Sequence, residues 1–273
     1  YNYAVGDIGS TEPGSTFKLL SMLALLEENK ISLNEKIETG NGAHRFYNQT
    51  MYDAKNGGFG TITIREAFEK SSNVAISKLV DMHFGSSPSK FMAYIEKSGL
   101  AEPFDLQLAG EGKPFFKKPG TKTWYGTSLP WISIGYESKV NPIHTLAFYN
   151  AVANDGVMMK PLFVKAVGRG NTLVETFEPQ VLRKQIASEK TVKQLQELLE
   201  GVVLRGTARN ILNENYQIAG KTGTAQKIIN GKYTETYYTS FAGYFPADRP
   251  KYSMIIVIDS PNGFAAYGGD VSA

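Results

Sequence analysis

Ser15 and Lys18 stand three residues apart in the stretch PGSTFKLL, at the mouth of a nearly unbroken apolar run. At helical spacing their Cβ atoms fall about 5–6 Å apart on one face, so the lysine amine can reach the serine hydroxyl. A serine hydroxyl is a poor nucleophile until a base takes its proton, and a lysine kept neutral by burial can serve as that base. An apolar setting disfavours the ammonium form and lowers the lysine pKa. The helix start adds a backbone N–H and a positive dipole end where an oxyanion would form. The plain alternative is that Ser15 or Thr16 caps the helix and Lys18 is solvated.

Two further clusters have chemistry to offer. Ser71-Ser72-Asn73 sits in a joint between two short helical patterns. Lys221-Thr222-Gly223-Thr224 lies on a strand candidate. Strand alternation puts Lys221 and Gly223 on one face and Thr222 and Thr224 on the other. A glycine on the cleft side would let a substrate backbone lie along the strand, with neighbouring N–H groups offered to it. Each motif alone is weak. A second SxxK occurs at Ser87–Lys90, SxN recurs at Ser32–Asn34 and Ser260–Asn262, and Lys97-Ser98-Gly99 copies the third triplet at a helix end. Specificity comes from the set in order: SxxK at a helix start, SxN in a helical joint, KTG on a late strand.

The positioning elements follow from periodicity. A helix over about 15–28 is apolar nearly all round, hence buried on most sides. Residues 38–60, with GNG and NGGFG, read as a long loop. Thr63-Ile64-Arg65-Glu66 is a capping box opening a helix to about Lys70. Another helix runs from about Val74 to His83 and stops at Gly85. Residues 102–130 look irregular, and Pro142–Asn154 is helical before Asp155-Gly156. Ser188 caps an amphipathic helix with Val192, Leu195, Leu199 and Val202 on one face. The last third reads as β: Tyr216–Ile228, a turn at Asn230-Gly231, Thr236–Pro246, and Tyr252–Asp259. The expected fold class is α+β: an antiparallel meander packed by the first helix, with a largely helical second lobe. The α/β lobe takes about 1–30 and 160–273, the helical lobe about 31–159.

Composition narrows the options. The chain of 273 residues has a net charge of +3, too weak and scattered to indicate nucleic acid. It has no cysteine, which removes disulfides and thiolate metal sites. His44, His83 and His144 lie far apart without ligand spacing, so no metal is expected. No GxSxG elbow accompanies them. The longest apolar run, Leu19–Leu26, is too short to span a bilayer, which takes about 20 residues. Gly220-Lys221-Thr222 hints at a P-loop, but that motif needs glycine where Asn215 stands.

EPGSTFK, EKSSNVA, SIGY with the following NPIHTLAFYNAVANDG, GKTGTAQ, FAGYFPADRPKY and the final YGG together resemble class B penicillin-binding proteins over the whole chain. The SIGY-to-NDG run is closer to the division-type enzymes than to the elongation type. The resemblance implies a penicillin-binding transpeptidase fold, similar to the serine β-lactamases. It also implies that the lobe lacks an N-terminal strand and a C-terminal helix here, and that the parent protein is anchored at the extracytoplasmic (periplasmic) membrane face by a helix outside this sequence.

Residue roles follow from the same resemblance. Ser15 is the acylated nucleophile and Lys18 its general base. Ser71 relays a proton to the leaving amine, and Asn73 partners Lys18 and the substrate amide. Lys221 supplies positive charge, and Thr222 and Thr224 bind the substrate carboxylate. The N–H groups of Ser15 and Thr224 form the oxyanion hole. The implied partners are peptidoglycan stem peptides ending in D-Ala-D-Ala, β-lactams and a membrane glycosyltransferase, with no metal or organic cofactor. A D,D-carboxypeptidase, a β-lactamase or a β-lactam sensor are alternatives within the fold. A class A β-lactamase would need a deacylating glutamate and usually SDN, where this chain has SSN.

Overall fold

The computed structural model describes residues 2–229, 231–261, 269 and 272–273. The turn residue Asn230, the Asn262 of the last SxN copy, and Tyr267-Gly268 of the final YGG lie outside the described residues.

A 3-10 turn over Gly14–Phe17 leads into helix α1 (Lys18–Glu27), where Leu19, Leu20, Met22, Leu23 and Leu25 are fully buried. That burial explains the missing polar face. α1 meets helices on several sides: α2 (Ile64–Glu69) and α3 (Asn73–Phe84) follow it in the chain, and α3, α4 (Pro88–Lys97) and α7 (Glu189–Leu204) pack on it. α5 (Ser128–Ile132) and α6 (Pro142–Ala153) lie between α4 and α7 in the chain.

Three long strands form one antiparallel sheet in the order β1 (Ala219–Ile229), β2 (Lys232–Phe245), β3 (Tyr252–Asp259). The meander is therefore as expected, but its cover is not. α7 packs on β1, and α6 packs on β2 and β3, while α1 lies among the helices. α7 buries Val192, Leu195, Leu199 and Val202, the stripe that its period displays. α6 carries Phe148, Tyr149, Ala151 and Val152 into the core, although a division at residue 159 would assign it to the helical lobe.

Local signals set several boundaries. Thr63 and Glu66 form both halves of the capping box of α2, and Ser188 caps α7 by accepting from Thr191 N at 3.3 Å. The glycine-rich segment is not the loop its composition suggests. Lys36–Glu38 pairs with Thr61–Thr63, and within it Ala43–Phe46 pairs with Gln49–Tyr52 as a hairpin. The glycines serve close approach: a Cβ on Gly58 would lie 2.1 Å from Gly42 N.

Two of the decoy motifs are ordinary helix ends. Pro88 opens α4 after Ser87, and Lys97-Ser98-Gly99 closes it with Gly99 at φ +78. Gly220-Lys221-Thr222 lies within strand β1, near its start, and is not a phosphate loop. Among the described residues, no helix is long and apolar enough to cross a membrane.

Candidate active site

The serine turn rests on β1. Gly14 adopts φ +56, and a Cβ there would lie 2.9 Å from Thr224 O. Only glycine combines that backbone with that approach. Gly14 N donates to Gly135 O at 3.1 Å, which ties the turn to the SIGY segment. Thr16 Oγ1 donates to Pro13 O at 2.9 Å, so Thr16 rather than Ser15 closes the turn. Ser15 lines a cavity of about 400 Å³ together with Ser71, Asn73, Tyr136, Thr222 and Thr224. Its hydroxyl has no hydrogen-bond partner among the described residues and is not a cap.

Lys18 lies behind this wall with no exposed surface. Its Nζ donates to Ser71 O at 2.7 Å, Ser71 Oγ at 3.1 Å and Asn73 Oδ1 at 2.7 Å. The expected direct hydrogen bond to Ser15 is absent here. The long lysine stem carries the amine past the serine turn to the SSN joint, whose three acceptors match the three donors of an ammonium. Burial pushes its pKa from 10.5 down to about 7, against an opposing pull from the Asp53 carboxylate. The expectation of a perturbed lysine therefore holds, with Ser71 and Asn73 as its partners. A hydroxyl both donates and accepts, so Ser71 Oγ can also donate to the lone pair of the neutral amine.

The joint divides its labour. Ser72 is the N-cap of α3, accepting from Ala75 N at 3.0 Å. Capping thus falls on the middle residue and leaves Ser71 and Asn73 for Lys18. Ser71 adopts φ +59, in the left-handed region that a non-glycine residue occupies only when its surroundings enforce it. Ser71 N donates to Phe68 O at 3.0 Å and Ser72 N to Ala67 O at 2.8 Å, holding that kink.

On β1, alternation is as read: Thr222 and Thr224 line the cavity, and Lys221 and Gly223 face away from it. The use of the glycine differs from expectation. A Cβ on Gly223 would meet Ser240 Oγ at 2.4 Å and Thr16 Cγ2 at 2.9 Å, so the missing side chain admits the serine turn. Lys221 is fully buried; its Nζ donates to Thr222 O at 3.1 Å and lies 5.8 Å from the centroid of the Phe68 ring. Burial first, and then the Lys18 charge, hold its pKa well below the usual lysine range. Thr222 Oγ1 shares a hydrogen bond with Thr207 Oγ1 at 2.6 Å.

Several residues at the site escape motif reading. Tyr52, Asp53, Lys70, Thr207 and Tyr237 line the cavity. Glu12 braces the approach to the serine turn: its Oε1 accepts from Glu137 N at 2.7 Å and Tyr233 Oη at 3.2 Å. Glu12 and Tyr136 belong to EPGSTFK and SIGY, and those strings were the only signal for them. Asp53 stands in the glycine-rich segment with no spacing that marks it. A larger hollow of about 760 Å³, between α4 and residues 114–123, shares no lining residue with this site. Among the described residues, no group of three His, Asp or Glu side chains is placed to hold a metal ion.

A family model described as the penicillin binding protein transpeptidase domain matches residues 8–273. This chain belongs to that family. The resemblance read from the motifs is thereby borne out. Stage V sporulation protein D of Bacillus subtilis is 32% identical over 278 residues, covering 100% of this chain and 42% of that protein. Peptidoglycan D,D-transpeptidase FtsI of Buchnera aphidicola is 30% identical, covering 100% of this chain and 44% of its own length. The chain thus spans less than half the length of both relatives. The crystal structure of penicillin binding protein 3 from Mycobacterium tuberculosis, complexed with ampicillin, superposes with a TM-score of 0.83 at 30% identity, over 95% of this chain and 58% of that one.

Proposed function

We propose that this domain is a peptidoglycan D,D-transpeptidase working through a serine acyl-enzyme, that β-lactams acylate it, and that its parent protein acts in septal wall synthesis. The observation that carries the reading is a buried amine, Lys18, held between Ser71 and Asn73 behind the cavity that Ser15 enters. In this reading the cavity is the cleft between an α/β lobe and a helical lobe.

Ser15 Oγ attacks the carbonyl carbon of the penultimate D-Ala, and its proton passes to the neutral Lys18 amine. The developing oxyanion is met by the backbone N–H groups of Ser15 and Thr224. Their adjacency is supported by the close approach of Gly14 to Thr224 O. Loss of one such donor typically slows the reaction by about 10²–10³. As the C–N bond breaks, the leaving D-Ala nitrogen takes a proton through Ser71, whose hydroxyl already contacts Lys18. Asn73 holds the lysine and accepts the substrate amide, Thr222 and Thr224 bind the terminal carboxylate, and the buried Lys221 amine stands behind them. An acceptor amine then attacks the ester, cross-links the two stems and regenerates the Ser15 hydroxyl. A β-lactam follows the first half-reaction and stays as the ester. The parent protein would sit at the extracytoplasmic membrane face, anchored by a segment outside this sequence and partnered by a membrane glycosyltransferase.

Incubation with a donor peptide ending in D-Ala-D-Ala and a small amine acceptor tests this reading. Release of D-Ala with formation of the amide product is expected. Hydrolysis without aminolysis would favour a carboxypeptidase, and rapid turnover of penicillin a β-lactamase.

A further inference from the structure

Asp53 is 9% exposed and sits at the end of the hairpin strand Gln49–Tyr52. Ser72 Oγ lies 2.9 Å from Asp53 Oδ1 and 3.1 Å from Oδ2, and Val74 N donates to Oδ1 at 3.0 Å. The carboxylate therefore occupies the N-terminus of α3, where the helix dipole favours an anion. Next to it, Tyr52 O accepts from Asn73 Nδ2 at 2.9 Å. That bond fixes the amide so that its Oδ1 faces Lys18 Nζ. Two consecutive residues thus orient Asn73 and hold the cap of α3, while the kink at Ser71 lies between these anchors and α2.

The same carboxylate matters electrostatically. Among the described residues, the hydrogen-bond partners of Lys18 are all neutral: a carbonyl, a hydroxyl and an amide oxygen. The titratable groups near it are Asp53 from the hairpin, which acts on it as a charge, and the buried Lys221 amine from β1; Lys70, at the end of α2, lines the cavity and pairs with Glu66 at 3.1 Å. Burial expels the proton from Lys18, and Asp53 opposes that.

We propose that Asp53 is a positioning residue of this site, clamping the Ser71–Asn73 joint through Ser72 and Val74 while presenting a negative charge to the Lys18 amine. The proposal rests on the acyl-transfer reading above. Asp53 touches no reacting atom. It acts by keeping two acceptors aimed at the lysine and by setting the pH at which that lysine becomes a free base.

The test is the pH dependence of penicillin acylation for the wild type, Asp53→Asn, Asp53→Glu and Ser72→Ala. Removing the charge should lower the apparent pKa of the rising limb by about one unit. At pH 6 the Asn variant would then retain about half of its own plateau rate, where the wild type retains about a tenth. Asp53→Glu should return the limb toward the wild-type position. Ser72→Ala, which loosens the clamp but keeps the charge, should lower the plateau about tenfold and leave the limb in place. A cooperatively melting Asn variant with an unmoved limb would overturn the proposal, as would an equal shift in the Glu variant. If the Asn variant does not melt cooperatively, Ser72→Ala decides, and an unchanged plateau there would sink the clamp. Failure of the wild type to acquire a penicilloyl group overturns the acyl-transfer reading instead.

Discussion

Raising the pH from about 6 to about 8 should increase the rate of acylation of Ser15 by penicillin about tenfold and then leave it flat. The figure comes from Lys18. The side chain is fully buried, and its pKa falls from 10.5 to about 7. At 1.36 kcal/mol per unit, that shift is worth about 5 kcal/mol between the two protonation states. The neutral fraction then rises from about a tenth at pH 6 to about nine-tenths at pH 8. A lysine at its ordinary pKa would gain about a hundredfold over the same interval and continue upward past pH 9. Stopped-flow measurement with a chromogenic penicillin, from about pH 5.5 to about pH 9.5, distinguishes the two. A unit slope persisting to the alkaline end would refute a neutral lysine base at physiological pH. Stability carries the same sign. Between about 7 and 10.5 the unfolded chain binds the Lys18 proton more tightly than the folded one. Stability due to this group therefore rises with pH through that window.

Two other perturbations probe the supports of the serine turn. Gly135 adopts φ +86, and a Cβ there would lie 2.1 Å from Gly14 O; Gly135→Ala should cost about 1–3 kcal/mol in denaturant unfolding and reduce acylation more than tenfold. Unchanged unfolding and acylation would contradict the packing described. Glu12 is pushed from 4.5 up to about 7 by burial, so the folded state holds its proton more tightly, and stability from this group falls as pH rises from about 4.5 to 7. Glu12→Gln removes that fall, so the unfolding free energy of the variant relative to wild type should improve by about 2–3 kcal/mol between pH 5 and pH 8. An equal difference at both pH values would contradict a buried, proton-holding Glu12.

Where one side chain decides local structure, the sequence was easy to read. The Thr63–Glu66 capping box, the Ser188 cap and the unbroken strand Tyr252–Asp259 stand where their residue types demand. The ordered trio around Ser15, Ser71 and Lys221 was legible for the same reason: each motif falls at an element boundary or on a strand with a definite facing. Contacts between distant segments were not. The glycines of residues 38–60 spell loop, yet they let backbones close into paired ribbons. The i,i+3 spacing predicts that Lys18 meets Ser15, but the lysine stem is long enough for tertiary acceptors at Ser71 and Asn73 to win. Strand alternation alone points Gly223 toward substrate, and only the docked serine turn reveals its packing role. Asp53 needed the hairpin to bring it under α3, which no local pattern encodes.

Mass spectrometry of the intact protein after incubation with a penicillin, followed by peptide mapping, tests the central claim most directly. One penicilloyl group on Ser15, lost in Ser15→Ala, is the predicted result. An adduct on Ser71 or Ser87, or an undiminished adduct in the Ser15→Ala protein, would contradict it.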